Sequence, residues 1–128
     1  SSAVTYASRL HWKKVNHGNR FSLKNMELIM LHGLSIIMLE CLEPLYKKVD
    51  DFFKYSSRKN KKKHTFDDNV RYLKSILNSI PILKNFNIDI NNKSINIKDL
   101  IENLYNGETS IFWRRRFSLE DISNMVII

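Results

Sequence analysis

From Leu23 onward apolar residues recur at three- and four-residue steps, through Met26, Ile29, Met30, Leu34, Ile37, Met38, Cys41 and Leu42, which is the repeat of an α-helix. Leu28, Leu31, Ile36 and Leu39 fill most of the other side, so this helix is apolar nearly all round. A helix of that kind is expected in the middle of a bundle, and Gly33 would let a neighbouring helix approach closely. Ser22 is the expected N-cap. Pro44 lacks a backbone donor, so it kinks this helix or stands as the first residue of the next. On that next piece Leu45, Val49, Phe52 and Phe53 form one stripe, with Lys47, Lys48, Asp50 and Asp51 toward solvent.

Thr65-Phe66-Asp67-Asp68 has the spacing of a capping box and opens a third helix, whose stripe is Phe66, Val70, Leu73, Ile76, Leu77 and Ile80. Pro81 stops it or starts a short turn through Phe86. There the period changes to two. Phe86, Ile88 and Ile90 alternate with Asn87, Asp89 and Asn91, and after Asn92-Lys93-Ser94 the alternation resumes at Ile95 and Ile97, as in half-buried strands around a turn. Asn96 and Asp99 open a helix with Leu100, Ile101, Leu104 and Tyr105 inward, and Gly107 suits its C-terminal end. The run from Ile111 to Phe117 fits strand or helix, and Ser118 caps a last helix bearing Leu119, Ile122, Met125 and Val126.

These elements predict a mainly α, single-domain fold over residues 1–128: a bundle of four to six helices with a small β-hairpin near residues 86–97. Residues 1–21 form a basic N-terminal arm and 56–64 a basic exposed loop. The order strand, helix, basic strand in the C-terminal part is similar, in topology alone, to that of a winged-helix module. At 128 residues the chain is long enough to bury a core of its own. Only three Gly, two Pro and one Cys exclude collagen-like, linker-like and disulfide-framework classes. His32, Ser35 and Glu40 interrupt the longest apolar stretch, so no membrane span is expected. With Ser1 at its start and no signal-peptide pattern, the sequence reads as a domain cut from something longer. The lone cysteine is compatible with a reducing compartment, and the expected setting is intracellular, nuclear or cytoplasmic.

Charge sharpens this picture. The formal net charge is +8, yet residues 1–25 carry +5, residues 26–55 carry −2, residues 56–64 carry +5, and the remainder balances. The excess sits in two short segments outside the helical patterns. Lys13, Lys14 and Arg20 in the first, and Arg58, Lys59, Lys61, Lys62 and Lys63 in the second, are candidate phosphate contacts that would release counterions on binding nucleic acid. Arg114, Arg115 and Arg116, bracketed by Trp113 and Phe117, form a third candidate; on a strand, Arg114 and Arg116 would share a face. Each also reads as solvated surface, the arginines as internal ion-pair partners.

Chemistry of other kinds is thinly represented. His11 and His17 stand six apart among basic residues, the arrangement a metal-independent ribonuclease of toxin type would use, one His taking the 2′-hydroxyl proton and the other protonating the leaving oxygen. No zinc spacing links His11, His17, His32 and His64, and no Gly-rich phosphate loop is present, so no metal or cofactor is expected. His32 reads as a hydrogen-bonded core histidine. The expected function is that of a non-enzymatic basic helical binding module of a larger intracellular assembly, contacting nucleic acid (DNA or RNA), an acidic protein surface, or both. The alternatives are the His11/His17 ribonuclease and a purely protein-binding helical adaptor, which exposure of the central helix's second face would favour.

Overall fold

A computed structural model describes residues 23–57, 63–90, 92–107, 120, 124 and 126–127. Among these the fold is mainly helical. The elements run α1 (Leu23–Leu42), α2 (Lys47–Tyr55), α3 (Phe66–Asn78), a 3-10 turn (Pro81–Asn85), β1 (Asn87–Ile90), β2 (Lys93–Asn96), α4 (Ile97–Asn106) and β3 (Val126–Ile127).

Two apolar clusters make the core, and α1 and α4 take part in both. The larger gathers Ile36 and Leu39 of α1, Val49, Phe52 and Phe53 of α2, Phe66, Leu73, Ile76 and Leu77 of α3, and Ile101 and Tyr105 of α4. The smaller joins Leu31 to Ile88 and Ile90 of β1 and to Leu100 and Leu104 of α4. Burying one large apolar side chain contributes roughly 1.5–3 kcal/mol, so these sets dominate the folding energy. Phe52 is fully buried and meets Tyr105 edge-on at 5.5 Å between ring centres. Packing of α1 on α4 is the most extensive contact between elements.

The predicted N-terminus of α3 is present in full. Thr65 Oγ1 accepts from the Asp68 amide at 3.0 Å, and Asp68 Oδ2 accepts from the Thr65 amide at 2.8 Å, so two amides that the helix leaves without an acceptor are satisfied together. The Thr65 N–H bond is the main reason the Asp68 carboxyl sits below its ordinary value. Pro81 stands at the start of the 3-10 turn, where its missing N–H is of no consequence.

The hairpin also matches the alternation. Strands β1 and β2 pair antiparallel with Ile90 opposite Lys93, which leaves a two-residue turn, and Asn92 takes φ 62° in the left-handed region that asparagine tolerates. Ile97 departs from expectation. It opens α4 rather than extending the strand, because Asn96 Oδ1 accepts from the Lys98 amide at 3.0 Å and caps the helix there. Gly107 ends α4 at φ 76°.

Three further expectations are corrected. Pro44 neither kinks α1 nor begins α2; it lies in the turn between them, where the Leu45 amide bonds back to the Leu42 carbonyl at 3.0 Å. Leu45 therefore leaves the α2 stripe and is 73% exposed. Val126 belongs to a strand, not to a last helix: β3 pairs antiparallel with β1, Val126 opposite Asp89 and Ile127 opposite Ile88, so β1 is the middle strand of three. A β-branched pair beside the open edge of β1 suits that pairing.

Candidate binding surface

The central helix is not covered all round. Leu28, Leu31, His32, Ser35, Ile36 and Leu39 face the core, whereas Met26, Met30 and Ile37 are 49%, 56% and 58% exposed, and Cys41 is exposed beside them. The exposed residues follow one another at four, seven and four positions, so they share one side of the helix. Gly33 falls within this row, and a Cβ placed there would meet nothing within 4 Å among the described residues. Among the described residues no helix makes the close approach that Gly33 would allow. Helix α1 keeps about half its girth for the core and leaves an apolar row of about 22 Å, at 1.5 Å rise per residue, open between Met26 and Cys41. Of the residues between them only Glu27 and Glu40 carry charge.

His32 is a core histidine, as its position implied. It is buried, its Nδ1 donates to the Tyr105 carbonyl at 2.9 Å, and its ring lies 4.5 Å from that of Tyr105. This bond ties the middle of α1 to the end of α4.

A second apolar feature lies beyond the C-terminal end of α1. Leu42, Leu45, Tyr46, Ile82, Leu83, Phe86, Ile88 and Ile97 line a pocket of about 350 Å³. Its inner wall is core; its outer wall is Leu45, Ile82 (48% exposed) and Phe86 (44% exposed). Asn96 fixes this wall. Its Nδ2 lies 2.9 Å from the Leu83 carbonyl, 3.1 Å from that of Lys84 and 3.2 Å from that of Phe86, while its Oδ1 caps α4. The sequence pattern assigned Leu45 and Phe86 to inward stripes and singled out neither Ile82 nor the pocket. The usable signal is that Leu45 and Ile82 each follow a proline at an element boundary, where chain runs along the surface.

Of the predicted phosphate contacts, Lys63 alone is described, and it is exposed just before His64, whose ring stacks on Tyr55 at 3.8 Å. Lys13, Lys14, Arg20, Arg58, Lys59, Lys61, Lys62, Arg114, Arg115 and Arg116 lie outside the described residues, as do His11, His17, Ser22 and the segment from Ile111 to Leu119. The ion pairs that do appear are local: Lys54 with Asp50 at 3.1 Å, which raises the lysine's affinity for its proton, and Arg71 with Asp68. Glu102 is shifted upward by partial burial, against the opposing pull of Lys74. Among the described residues no group of His, Cys, Asp and Glu could hold a metal ion, and no helix is long and apolar enough to cross a membrane. No family model, curated protein or solved structure matches the chain.

Proposed function

We propose that the chain is a non-enzymatic binding module that engages a protein partner through the exposed side of α1. The observation that carries this reading is the row of Met26, Met30 and Ile37, each about half exposed on a helix whose opposite side is core. Exposing large apolar side chains in a contiguous line invites association and is retained where a partner covers them. Methionine suits such a surface because its unbranched side chain adapts to the shape set against it. Open space over Gly33 lets a second helix come close, and a row of about four turns matches an ordinary amphipathic helix presenting apolar residues at i, i+3, i+4 and i+7.

The test uses carbon-13 labelled methionine methyl groups. An eighteen-residue amphipathic helical peptide with leucine at those spacings is expected to shift the Met26 and Met30 signals and to leave Met38, which packs against the core, in place. A scrambled peptide of the same composition is expected to shift none of the three signals. Equal shifts from both peptides, or none at millimolar concentration, refute the reading.

The charge segregation supports a second reading, contact with nucleic acid through the two segments of +5. A salt series with generic duplex and single-stranded oligonucleotides tests it. Affinity should fall steeply as salt rises, and no binding at low salt removes it. The winged-helix-like arrangement of the C-terminal part belongs with this second reading and stands or falls with it.

A further inference from the structure

We infer that Asn92, at the tip of the β1–β2 hairpin, is an acceptor for an N-linked oligosaccharide. The inference goes beyond the binding readings above and shares no residue with them.

The triplet comes first. Asn92-Lys93-Ser94 is an asparagine followed two places on by a hydroxyl residue, with no proline between, which is the pattern that oligosaccharide transfer to asparagine requires. Of the fourteen asparagines in the chain Asn92 alone stands in such a triplet, so transfer would add a single group.

Access decides whether the triplet can be used, because a bulky, hydrated oligosaccharide belongs on the surface. Asn92 is exposed in the two-residue turn, where its φ of 62° helps the chain reverse. Ser94 is exposed as well. It pairs with Asp89, which alternates with the buried Ile88 and Ile90, so Ser94 falls on the sheet face turned away from the core. Neither the Asn92 amide nor the Ser94 hydroxyl has a hydrogen bond among the described residues. Asn96, four places on, shows the contrast: its amide is committed to the carbonyls of Leu83, Lys84 and Phe86.

In the transfer, Asn92 Nδ2 attacks C1 of a sugar carried on a lipid pyrophosphate. The new C1–N bond forms as the C1–O bond to the pyrophosphate breaks; the lipid pyrophosphate leaves with that electron pair, and Nδ2 gives up one of its two protons to a base of the transferase. The reaction belongs to the lumen of the secretory pathway. That oxidising setting imposes no internal disulfide here, since Cys41 is the only cysteine. The attached group would also serve the fold. Among the described residues β2 is an edge strand, and a hydrated chain at its head would hinder a foreign strand from pairing there.

The test incubates the folded, purified chain with a single-subunit oligosaccharyltransferase that recognises Asn-X-Ser/Thr and a lipid-pyrophosphate-linked oligosaccharide of defined mass. Intact mass spectrometry should show one added oligosaccharide, and peptide N-glycosidase should remove it and leave aspartate at position 92. Asn92→Asp, which keeps a residue that tolerates the left-handed region, should abolish the addition, Ser94→Ala should slow it at least tenfold, and Ser94→Thr should preserve it. All three positions in the triplet lie outside the core, so the variants should melt with the parent. The inference is overturned by a folded chain that stays unmodified while a free peptide of residues 89–97 is modified in the same reaction, by a peptide that is itself refused, by addition at another residue, or by addition that survives Ser94→Ala at the parent rate. None of these outcomes bears on the Met26 and Met30 signals, so the α1 reading stands or falls separately.

Discussion

Replacing Asn69 with leucine should stabilise the protein. Asn69 lies on the inner side of α3 between Phe66 and Leu73; it has no exposed surface, and neither its Nδ2 nor its Oδ1 has a hydrogen-bond partner among the described residues. Mutational data put the penalty for burying such an amide without compensation at about 1–3 kcal/mol. Leucine has the same branching at Cγ, is the better helix former, and adds apolar surface to the core. Its slightly greater volume takes back part of the gain, since overpacking a dense interior costs about 1 kcal/mol or more. The expected net effect is a gain of about 1–2 kcal/mol. For a chain of 128 residues, each kcal/mol moves the midpoint by about 4 °C, so thermal unfolding followed by circular dichroism should shift upward by about 4–8 °C. Asn69→Asp, nearly identical in shape, should act in the opposite direction at neutral pH because it buries a charge, and should recover part of the loss in acid as the carboxyl protonates. A leucine variant that melts several degrees lower would refute the reasoning and mean that the amide has a hydrogen-bonding partner within the core.

Other substitutions probe the same framework. Thr65→Ala removes one side of the capping box and should cost about 1 kcal/mol in chemical denaturation, with Thr65→Ser restoring most of it. Asp68→Asn should destabilise the protein at neutral pH. Because the folded carboxyl is held below its ordinary value near 3.8, its stabilising effect is complete above that value and fades as pH falls through the lower, folded one; the difference between variant and parent should close in strong acid. Met30→Glu and Ile37→Glu, both on the exposed side of α1, should leave the melting temperature within about 2 °C while removing the peptide-induced Met26 shift.

Where a sequence signal belongs to one short stretch of chain, it translated directly into structure. The capping box at Thr65, the asparagine start and glycine end of α4, the alternation that becomes β1, and the core position of His32 each follow from residues within a few positions of one another. Signals that require knowing what lies opposite did not translate. Composition made α1 look enclosed, yet burial of its second side depends on neighbours that the sequence of α1 does not encode, and Met26, Met30 and Ile37 are open. Leu45 carried the right spacing for the α2 stripe, but the turn containing Pro44 breaks the helical phase before α2 begins. Val126 fits a helical repeat as well as a strand, and the unpaired edge of β1, invisible in a window of eleven residues, decides between them. The pocket drew no notice for the same reason: its walls come from α1, the 3-10 turn, β1 and α4, segments up to fifty-five positions apart from Leu42 to Ile97.

Asn96 has a dynamic consequence. Its amide nitrogen holds the turn from Leu83 to Phe86, its amide oxygen holds the first turn of α4, and the Ile97 amide closes the same circuit by donating to the Phe86 carbonyl at 2.9 Å. A segment bound together at both ends by one side chain has little freedom to open piecemeal, because releasing the turn strips the cap from the helix. The Phe86, Ile97 and Lys98 amides should therefore exchange with solvent deuterium as a single cooperative unit, and Asn96→Ala should split them into separately opening parts. A breathing motion at the rim of the pocket would then register at the head of α4.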